Sequence, residues 1–325
     1  MTAETGARLL SVPTGGGAAP SSDEQDRKTT LVIMAAGMAS RYGGNKQTDG
    51  IGPHQETLME YSVYDALQAG FRKIVWIIKP DMREKMEAYI RPRLEKTGAE
   101  TAFAFQDFSS IPDFYRIPAG RAKPFGTGHA LLCAADVVAE PFCVINADDY
   151  YGADAYRQMR RALTRLPEAG QAVMVGYVLR DTLSPSGTVS RGICEVEGTS
   201  LRGVTERLKI GTAPDGSLWD ADSGVSLSPE ETVSMNCWGF APSFFPALRR
   251  CFEEFLRVQA RDNPTAECHL PTVVSHEMAA GHLSVSVLPT SGPWFGMTYR
   301  EDRQMVAERL REMYRQGVYP DNLWT

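Results

Sequence analysis

The sequence predicts an α/β protein built on a Rossmann-like mixed, mainly parallel sheet flanked by helices, with a smaller β-rich insertion. Three observations predict it. Short, wholly apolar runs such as "TTLVIMAA" and "KIVWIIKP" suit strands buried on both faces, as in a parallel sheet. These runs alternate with segments of helical period, the signature of strand–helix–strand units with right-handed crossovers. Between residues 181 and 235 the alternation breaks into short β segments rich in Gly, Ser and Pro.

Residues 1–28 contain "SVPTGGGAAPSSDEQDRK", with too little apolar side chain to offset the entropy of ordering, and read as a disordered tail. "TTLVIMAA" is the first strand. Met59, Val63, Ala66 and Gly70 then follow one helical face, with Gly70 placed as a C-cap. "KIVWIIKP" is a second strand, stopped by Pro80. "DMREKMEAYIRPRLEK" reads as helix, "TAFAFQ" as strand, "GHALLCAADVV" as helix, "PFCVINADD" as a buried strand ending in acid, and "QAVMVGYVLR" as strand. "RGICEVEG", "LRGVTERLKIG" and "TVSMNCWGF" are β segments. The helices "PSFFPALRRCFEEFLRVQA" and "LPTVVSHEMAAG" and the strand "LSVSVLPT" follow, then an amphipathic helix carrying Val306, Leu310 and Met313. No internal repeat is visible. The chain divides into a tail (1–28) and one domain (29–325), itself composed of 29–180, 181–300 and a closing helix and tail, 301–325. A ligand is expected at the C-terminal ends of the strands.

At 325 residues and 43% hydrophobic, the chain can bury a full core. Its net charge of −6 argues against a nucleic-acid partner, yet leaves room for a small anion held by a few local cations. The six cysteines form no C-x-x-C pair, which suits free thiols in a reducing cytoplasm and gives no sign of a metal–thiolate site. His269 and His276 lack zinc spacing. No signal pattern or bilayer-length apolar run is present, so no membrane partner is expected.

The loop in "LVIMAAGMASRYGGNKQ", residues 31–47, carries the first chemistry. It is not a P-loop, since Tyr42 stands where the second glycine is needed and Gln47 follows Lys46. It is not G-x-G-x-x-G either. Ala35, Ala36 and Gly37 nevertheless allow close approach to the backbone, and its N–H groups can form an anion nest. Arg41 offers a planar fork and Lys46 a point charge, so a pyrophosphate-bearing ligand suits all three features.

"AAGMASRYGGNKQ" resembles the signature loop of the sugar-1-phosphate nucleotidyltransferases, with Ala39 and Ser40 where Gly and Thr are usual. The resemblance implies the nucleotidyltransferase fold, with 29–180 as the nucleotide-binding half and 181–300 as the acceptor-binding half, and makes Arg41 and Lys46 the catalytic cations. "KPFGTGHALLCA", residues 123–134, resembles the family segment that touches the base. There Gly126 and Thr127 open a helix, and Gln106 is either the glutamine that reads a pyrimidine or an ordinary strand-end amide. In "CVINADDYYG" the strand end presents Asp148, which alone is either a cap or a ligand for Mg²⁺; the resemblance makes it the metal ligand and leaves Asp149 to support the turn. "VTERLK" resembles a Val-x-Glu-Lys-Pro segment, with Glu206 for sugar hydroxyls and Arg207 or Lys209 for the sugar phosphate. Asn236 in "MNCWGF" matches a residue near the sugar, while Trp238 and Phe240 read as core.

The departures come late in the chain. "AECHLPTVVSHE" keeps Glu267 but has Thr272 near an expected acid, and "GPWFGMTYREDR" keeps Trp294 but has Gly296 where an aspartate is usual. A second metal ligand is therefore left open between Glu267 and Asp302. The expected reaction condenses an NTP, UTP-like for preference, with a sugar 1-phosphate, releasing pyrophosphate by in-line attack with Mg²⁺. The acceptor phosphate is already largely dianionic at pH 7, so no general base is required. A CTP-dependent transferase of a phosphonate or phosphocholine, a related glycosyltransferase and a non-catalytic nucleotide sensor stay open beside it. So does a homo-oligomer.

Overall fold

The computed structural model describes residues 27–37, 50–121, 123–213, 215–297, 299 and 301–324. Strand β1 (Thr30–Met34) leads to helix α1 (Leu58–Ala69). That helix starts where the Thr57 N–H donates to the Glu60 carboxylate at 2.8 Å. It stops at Gly70, whose φ of 101° is the left-handed conformation that a C-cap glycine tolerates. The alternation continues through β2 (Lys73–Ile78), α2 (Arg83–Leu94), β3 (Glu100–Phe105), α3 (Gly126–Leu132) and β4 (Phe142–Asn146). Then come β5 (Asp149–Tyr150), α4 (Ala153–Arg165) and β6 (Gln171–Val178).

β1 pairs in parallel with β2 on one side and β4 on the other, and β2 pairs in parallel with β3. The C-terminal ends of four neighbouring strands therefore reach the same edge, which puts Ala35, Lys79, Gln106 and Asn146 side by side.

The second half extends the same sheet. β7 (Val189–Glu197) and β8 (Ser200–Thr212) form an antiparallel hairpin, followed by β9 (Leu218–Asp220), β10 (Ser226–Leu227) and β11 (Thr232–Phe240). Helices α5 (Phe244–Val258) and α6 (Leu270–Ala279), strands β12 (Ser284–Pro289) and β13 (Phe295–Gly296), and helix α7 (Asp302–Arg315) complete the chain. The main sheet has eleven strands in the order β10-β9-β8-β12-β6-β11-β4-β1-β2-β3, with β7 bridging β11 and β8. β13 pairs with β5 in a separate two-stranded ladder.

The period of two sorts the strands' side chains into two cores. Leu31, Ile33, Ile74 and Trp76 pack on one face, and Val32, Val75 and Ile77 on the other, all essentially inaccessible to water. Each such side chain contributes roughly 1.5–3 kcal/mol of burial. A third cluster, including Tyr61, Tyr150, Phe295, Val306, Leu310 and Tyr319, lies under α7. Met313 packs against its edge, so the expected apolar face of the closing helix is the buried one.

The sheet is mixed, as expected, but not mainly parallel: four of the strand pairings in the main sheet are parallel and seven antiparallel, because the second half adds its strands mostly antiparallel. Two helices also differ from the expectation. α4 falls in a stretch where no element was anticipated: its buried Ala155, Tyr156, Met159 and Leu163 do follow a helical face, but four arginines between residues 157 and 165 dilute the pattern. α3 ends at Leu132, where helix through Val138 was expected. No described helix is long and apolar enough to cross a membrane.

Candidate active site

Two cavities open along the edge where the parallel strands end. The first, of about 460 Å³, is bounded by Ala36, Gly37, Lys79, Gln106, Lys123, Gly126 and Thr127, with Asn146 and Asp148 at one end. The second, of about 590 Å³, starts at the same Thr127, Asn146 and Asp148 and continues past Asp149, Arg191, Glu206, Asn236 and Trp294. Asp148 thus stands at the junction.

The wall of the first cavity is built from small residues for a steric reason. Gly126 has φ of 84°, and a Cβ there would lie 2.9 Å from the Cys268 carbonyl oxygen. At Gly128 a Cβ would lie 3.0 Å from the same oxygen, because the Gly128 N–H donates to it at 2.8 Å. The Thr127 hydroxyl accepts from the Leu270 N–H at 2.9 Å and so caps the first turn of α6. The Gln106 side chain donates to the Gly126 carbonyl at 3.0 Å, which leaves its own carbonyl oxygen as an acceptor at the cavity wall. His129, three residues beyond Gly126, is fully buried. Its Nδ1 accepts from the Phe125 N–H at 3.4 Å and its Nε2 lies 3.0 Å from the Ser110 hydroxyl. Burial pushes its pKa down to about 4, so the imidazole is neutral and braces the loop behind the cavity.

Asp148 follows β4 after Ala147, and Asp149 opens β5. The Asp149 carboxylate accepts from the Asn146 side-chain amide at 2.8 Å, which fixes the turn. The Tyr151 hydroxyl accepts from the Asn146 N–H at 3.1 Å and donates to the Met235 carbonyl at 2.9 Å. One buried phenol therefore ties the acidic strand end to β11, next to Asn236. That neighbour is unusual in its backbone. Asn236 has φ of 60° where β11 slips its register against β6 between Ser234 and Trp238. Asn is among the few side chains that tolerate this conformation, and the bulge puts it on the second cavity.

Opposite stands Glu206 on β8, across from Gly192 on β7. Burial raises its pKa, and the charges of His269 and Arg191 draw it back. Arg191 is 6% exposed, sits over the Trp294 ring at 4.7 Å, and donates to the Thr182 hydroxyl at 3.1 Å and the Ser190 carbonyl at 2.7 Å. Burial pushes it down to about 10, opposed by Asp149, Glu206 and Asp302, and it remains a cation at neutral pH.

The expected residues thus divide. Ala36, Gly37, Gln106, Gly126, Thr127, Asp148, Glu206 and Asn236 line the two cavities. Ala35 does not; it is part of the apolar core and donates its N–H to Ile77 at 2.8 Å. Arg207 requires correction. Its side chain follows Glu206 on a strand whose residues alternate in direction, and it bonds Asp220 at 3.2 Å and Ser223 at 3.1 Å, lining neither cavity. Lys209, two residues on, pairs with Asp222 at 2.7 Å in solvent. Arg41 and Lys46 lie outside the described residues, and Gly37, the last described residue before them, is on the rim of the first cavity.

Sequence reading missed Lys79, Lys123 and Arg191. Lys79 directly follows the buried parallel strand β2, at the same strand-end edge from which Asp148 emerges. Arg191, which opens "RGICEVEG", gave no local sign.

For a divalent cation, the donor set at the junction is hard and oxygen-based: the carboxylates of Asp148 and Asp149 and the Asn146 amide oxygen. This composition fits Mg²⁺, which takes one or two carboxylates and fills its remaining positions with water and phosphate oxygens. Glu267 lines the first cavity and Thr272 the second. Asp302 is committed elsewhere, accepting from Ser184, Ser186 and the Tyr299 N–H at 2.7–2.9 Å.

In overall shape the chain is similar to a Bacillus anthracis protein assigned as a glucose-1-phosphate thymidylyltransferase, at 13% identity and a TM-score of 0.58, covering 88% of this chain and 96% of that one. It is similar to a UDP-glucose pyrophosphorylase complexed with UDP-glucose at 15% identity and a TM-score of 0.55, covering 89% and 99%. It is also similar to the CTP:phosphocholine cytidylyltransferase of Streptococcus pneumoniae at 14% identity and a TM-score of 0.54, covering 87% and 99%. No curated protein matches the chain in sequence. The model of the nucleotidyl transferase family matches residues 30–205, from the first residue of β1 to the residue before Glu206. That span exceeds half the chain and contains the glycine loop, the base-side turn and the acidic strand end, so the chain belongs to the nucleotidyl transferase family and is a nucleotidyltransferase.

Proposed function

We propose that this nucleotidyltransferase joins an NTP to a sugar 1-phosphate, releasing pyrophosphate and an NDP-sugar. The observation that carries the reading is the pair of cavities meeting at Asp148, one walled by small residues and an amide, the other by the polar side chains of Glu206, Asn236 and Arg191. In this reading the triphosphate enters the first cavity. Its base lies against Gln106, Gly126 and Thr127, and its phosphates lie over Ala36 and Gly37 towards Lys79 and Lys123. The acceptor enters the second, where Glu206 and Asn236 meet hydroxyl groups and Arg191 adds positive charge.

The acceptor's phosphate oxygen attacks the α-phosphorus in line, and pyrophosphate departs. No residue has to remove a proton, because the attacking phosphate is already largely dianionic at pH 7. Catalysis is positioning and charge neutralisation. Arg41 meets the β- and γ-phosphates and the leaving pyrophosphate, and Lys46 the α-phosphate. Asp148, with Asp149 beside it, would hold a divalent cation, which would supply neutralising charge to the phosphates.

The test is pyrophosphate release with Mg²⁺ and each of the four NTPs, run with a pool of sugar 1-phosphates and separately with a pool of non-sugar phosphates that includes phosphocholine. Release with one NTP that requires the sugar pool, collapses in Asp148→Asn and falls roughly 10²- to 10³-fold in Arg41→Ala is expected. Release only with the non-sugar pool overturns the acceptor assignment. Full activity of Asp148→Asn overturns its role at the junction.

A further inference from the structure

Away from both cavities, helices α5 and α6 bring together three side chains that the reaction does not use. Cys251 lies on α5; His276 and Glu277 lie on the last turn of α6. The Cys251 Sγ is 3.3 Å from Glu277 Oε1 and 3.5 Å from His276 Nδ1, and that Nδ1 is 3.7 Å from the same Oε1. We propose that Cys251, His276 and Glu277 form a binding site for Zn²⁺, separate from the Asp148 junction and of opposite chemical character.

The geometry is that of one face of a tetrahedron. With Zn–S near 2.3 Å and Zn–N and Zn–O near 2.0–2.2 Å, neighbouring ligand atoms in a tetrahedral site stand about 3.4–3.6 Å apart. The three observed edges fall within a few tenths of an ångström of that range, so a cation can enter with little movement of either helix.

The carboxylate is also oriented for it. Glu277 has a side chain only 5% exposed. Its Oε2 is occupied by Arg250 Nη2 at 3.4 Å and His282 Nδ1 at 3.4 Å. Those contacts leave Oε1 facing the thiol and the imidazole, as outer groups orient a single-oxygen carboxylate ligand in metal sites. His276 is more than half exposed, so the fourth position faces solvent.

Charge balances. Thiolate, carboxylate and neutral imidazole together carry −2, which Zn²⁺ cancels, and the thiol proton leaves to solvent as the S–Zn bond forms. Without metal, burial and the Glu277 carboxylate push the Cys251 thiol up to about 12, so it stays protonated. The sulfur selects a borderline-soft ion and discriminates against the Mg²⁺ suited to the junction. The site also has structural reach. The same α6 presents Pro271, Thr272 and Ser275 to the second cavity, so a metal at its C-terminal turn fixes that wall against α5.

The test uses the full chain stripped of metal with a chelator, then titrated with Co²⁺ as an optical stand-in. A thiolate-to-cobalt charge-transfer band with tetrahedral visible bands is expected, saturating at one ion per chain and bleached by Zn²⁺. Cys251→Ser should abolish the band. His276→Asn should weaken binding by roughly tenfold or more, and His282→Ala by about tenfold through the carboxylate. Cys133→Ser, a change at another half-buried thiol, should leave the band intact. Circular dichroism of the metal-free variants establishes that they are folded. Absence of a thiolate band in the wild-type chain overturns the proposal, as does a band that survives Cys251→Ser or disappears in folded Cys133→Ser.

Discussion

Asp65 sits in the middle of α1 at 3% exposure, under the segment that carries the junction acids. Tyr319 donates to its carboxylate at 2.9 Å, and the Tyr150 and Tyr319 hydroxyls are 2.6 Å apart. The segment after α7 is thereby bolted to the residue that follows Asp149. Burial outweighs both the Tyr319 hydrogen bond and the charge of Arg157, and raises the Asp65 pKa from 3.8 to about 7. The sign follows from which state holds the proton. Below 3.8 both folded and unfolded chains are protonated, and the site costs nothing. As the pH rises further, the unfolded chain ionises first and gains the advantage. Above about 7 both are ionised and the penalty is constant at roughly 4 kcal/mol, taking about 1.4 kcal/mol for each pH unit of displacement. Asp65→Asn cannot ionise but keeps an oxygen for Tyr319. Its unfolding free energy relative to wild type should therefore rise by about 3 kcal/mol between roughly pH 5 and pH 8, with asparagine favoured at the higher pH. Urea unfolding of both proteins at the two pH values measures this. A difference that stays within about 1 kcal/mol, or that favours asparagine towards acid, refutes the account.

Two further outcomes follow from the active-site geometry. Arg191→Lys keeps the charge but loses the planar group that lies on Trp294 and bonds Thr182. It should lower kcat/KM roughly ten- to hundredfold through the acceptor, with NTP affinity unchanged in equilibrium binding. Gly296→Ala places a Cβ 2.4 Å from Asp149 Oδ1, so the carboxylate must shift and strain the hydrogen bond that Asn146 donates to its other oxygen. A displacement near 1 Å should reduce turnover about 10²-fold and weaken Mn²⁺ binding followed by paramagnetic resonance, while the melting temperature changes little. Wild-type metal affinity in that variant would argue that Asp149 only supports the turn.

What the sequence made legible was whatever a short segment decides by itself. A buried parallel strand is apolar throughout and stops at its first polar residue, so "KIVWIIKP" and "PFCVINADD" declared both the strands and the edge where Asp148 emerges. Small residues where a Cβ cannot fit, Gly126 above all, could be read for the same reason: the demand is local. The misses have a common cause, which is that a side chain's direction is decided by its partner strand. "VTERLK" offered Glu206, Arg207 and Lys209 as one polar group, and only strand alternation and the Asp220–Asp222 hairpin separate the first from the other two. The positive charge of the second cavity comes instead from Arg191, on the strand paired with β8, where no motif announces it. Gly296 makes the same point in reverse. Read alone it is an aspartate missing from a familiar place. In the fold it is paired with Asp149, which could not lie where it does if residue 296 carried a side chain. The absent carboxylate and the adjacent acids of "NADDYYG" are thus two aspects of one arrangement, separated by 147 positions in the chain and joined by a two-residue ladder.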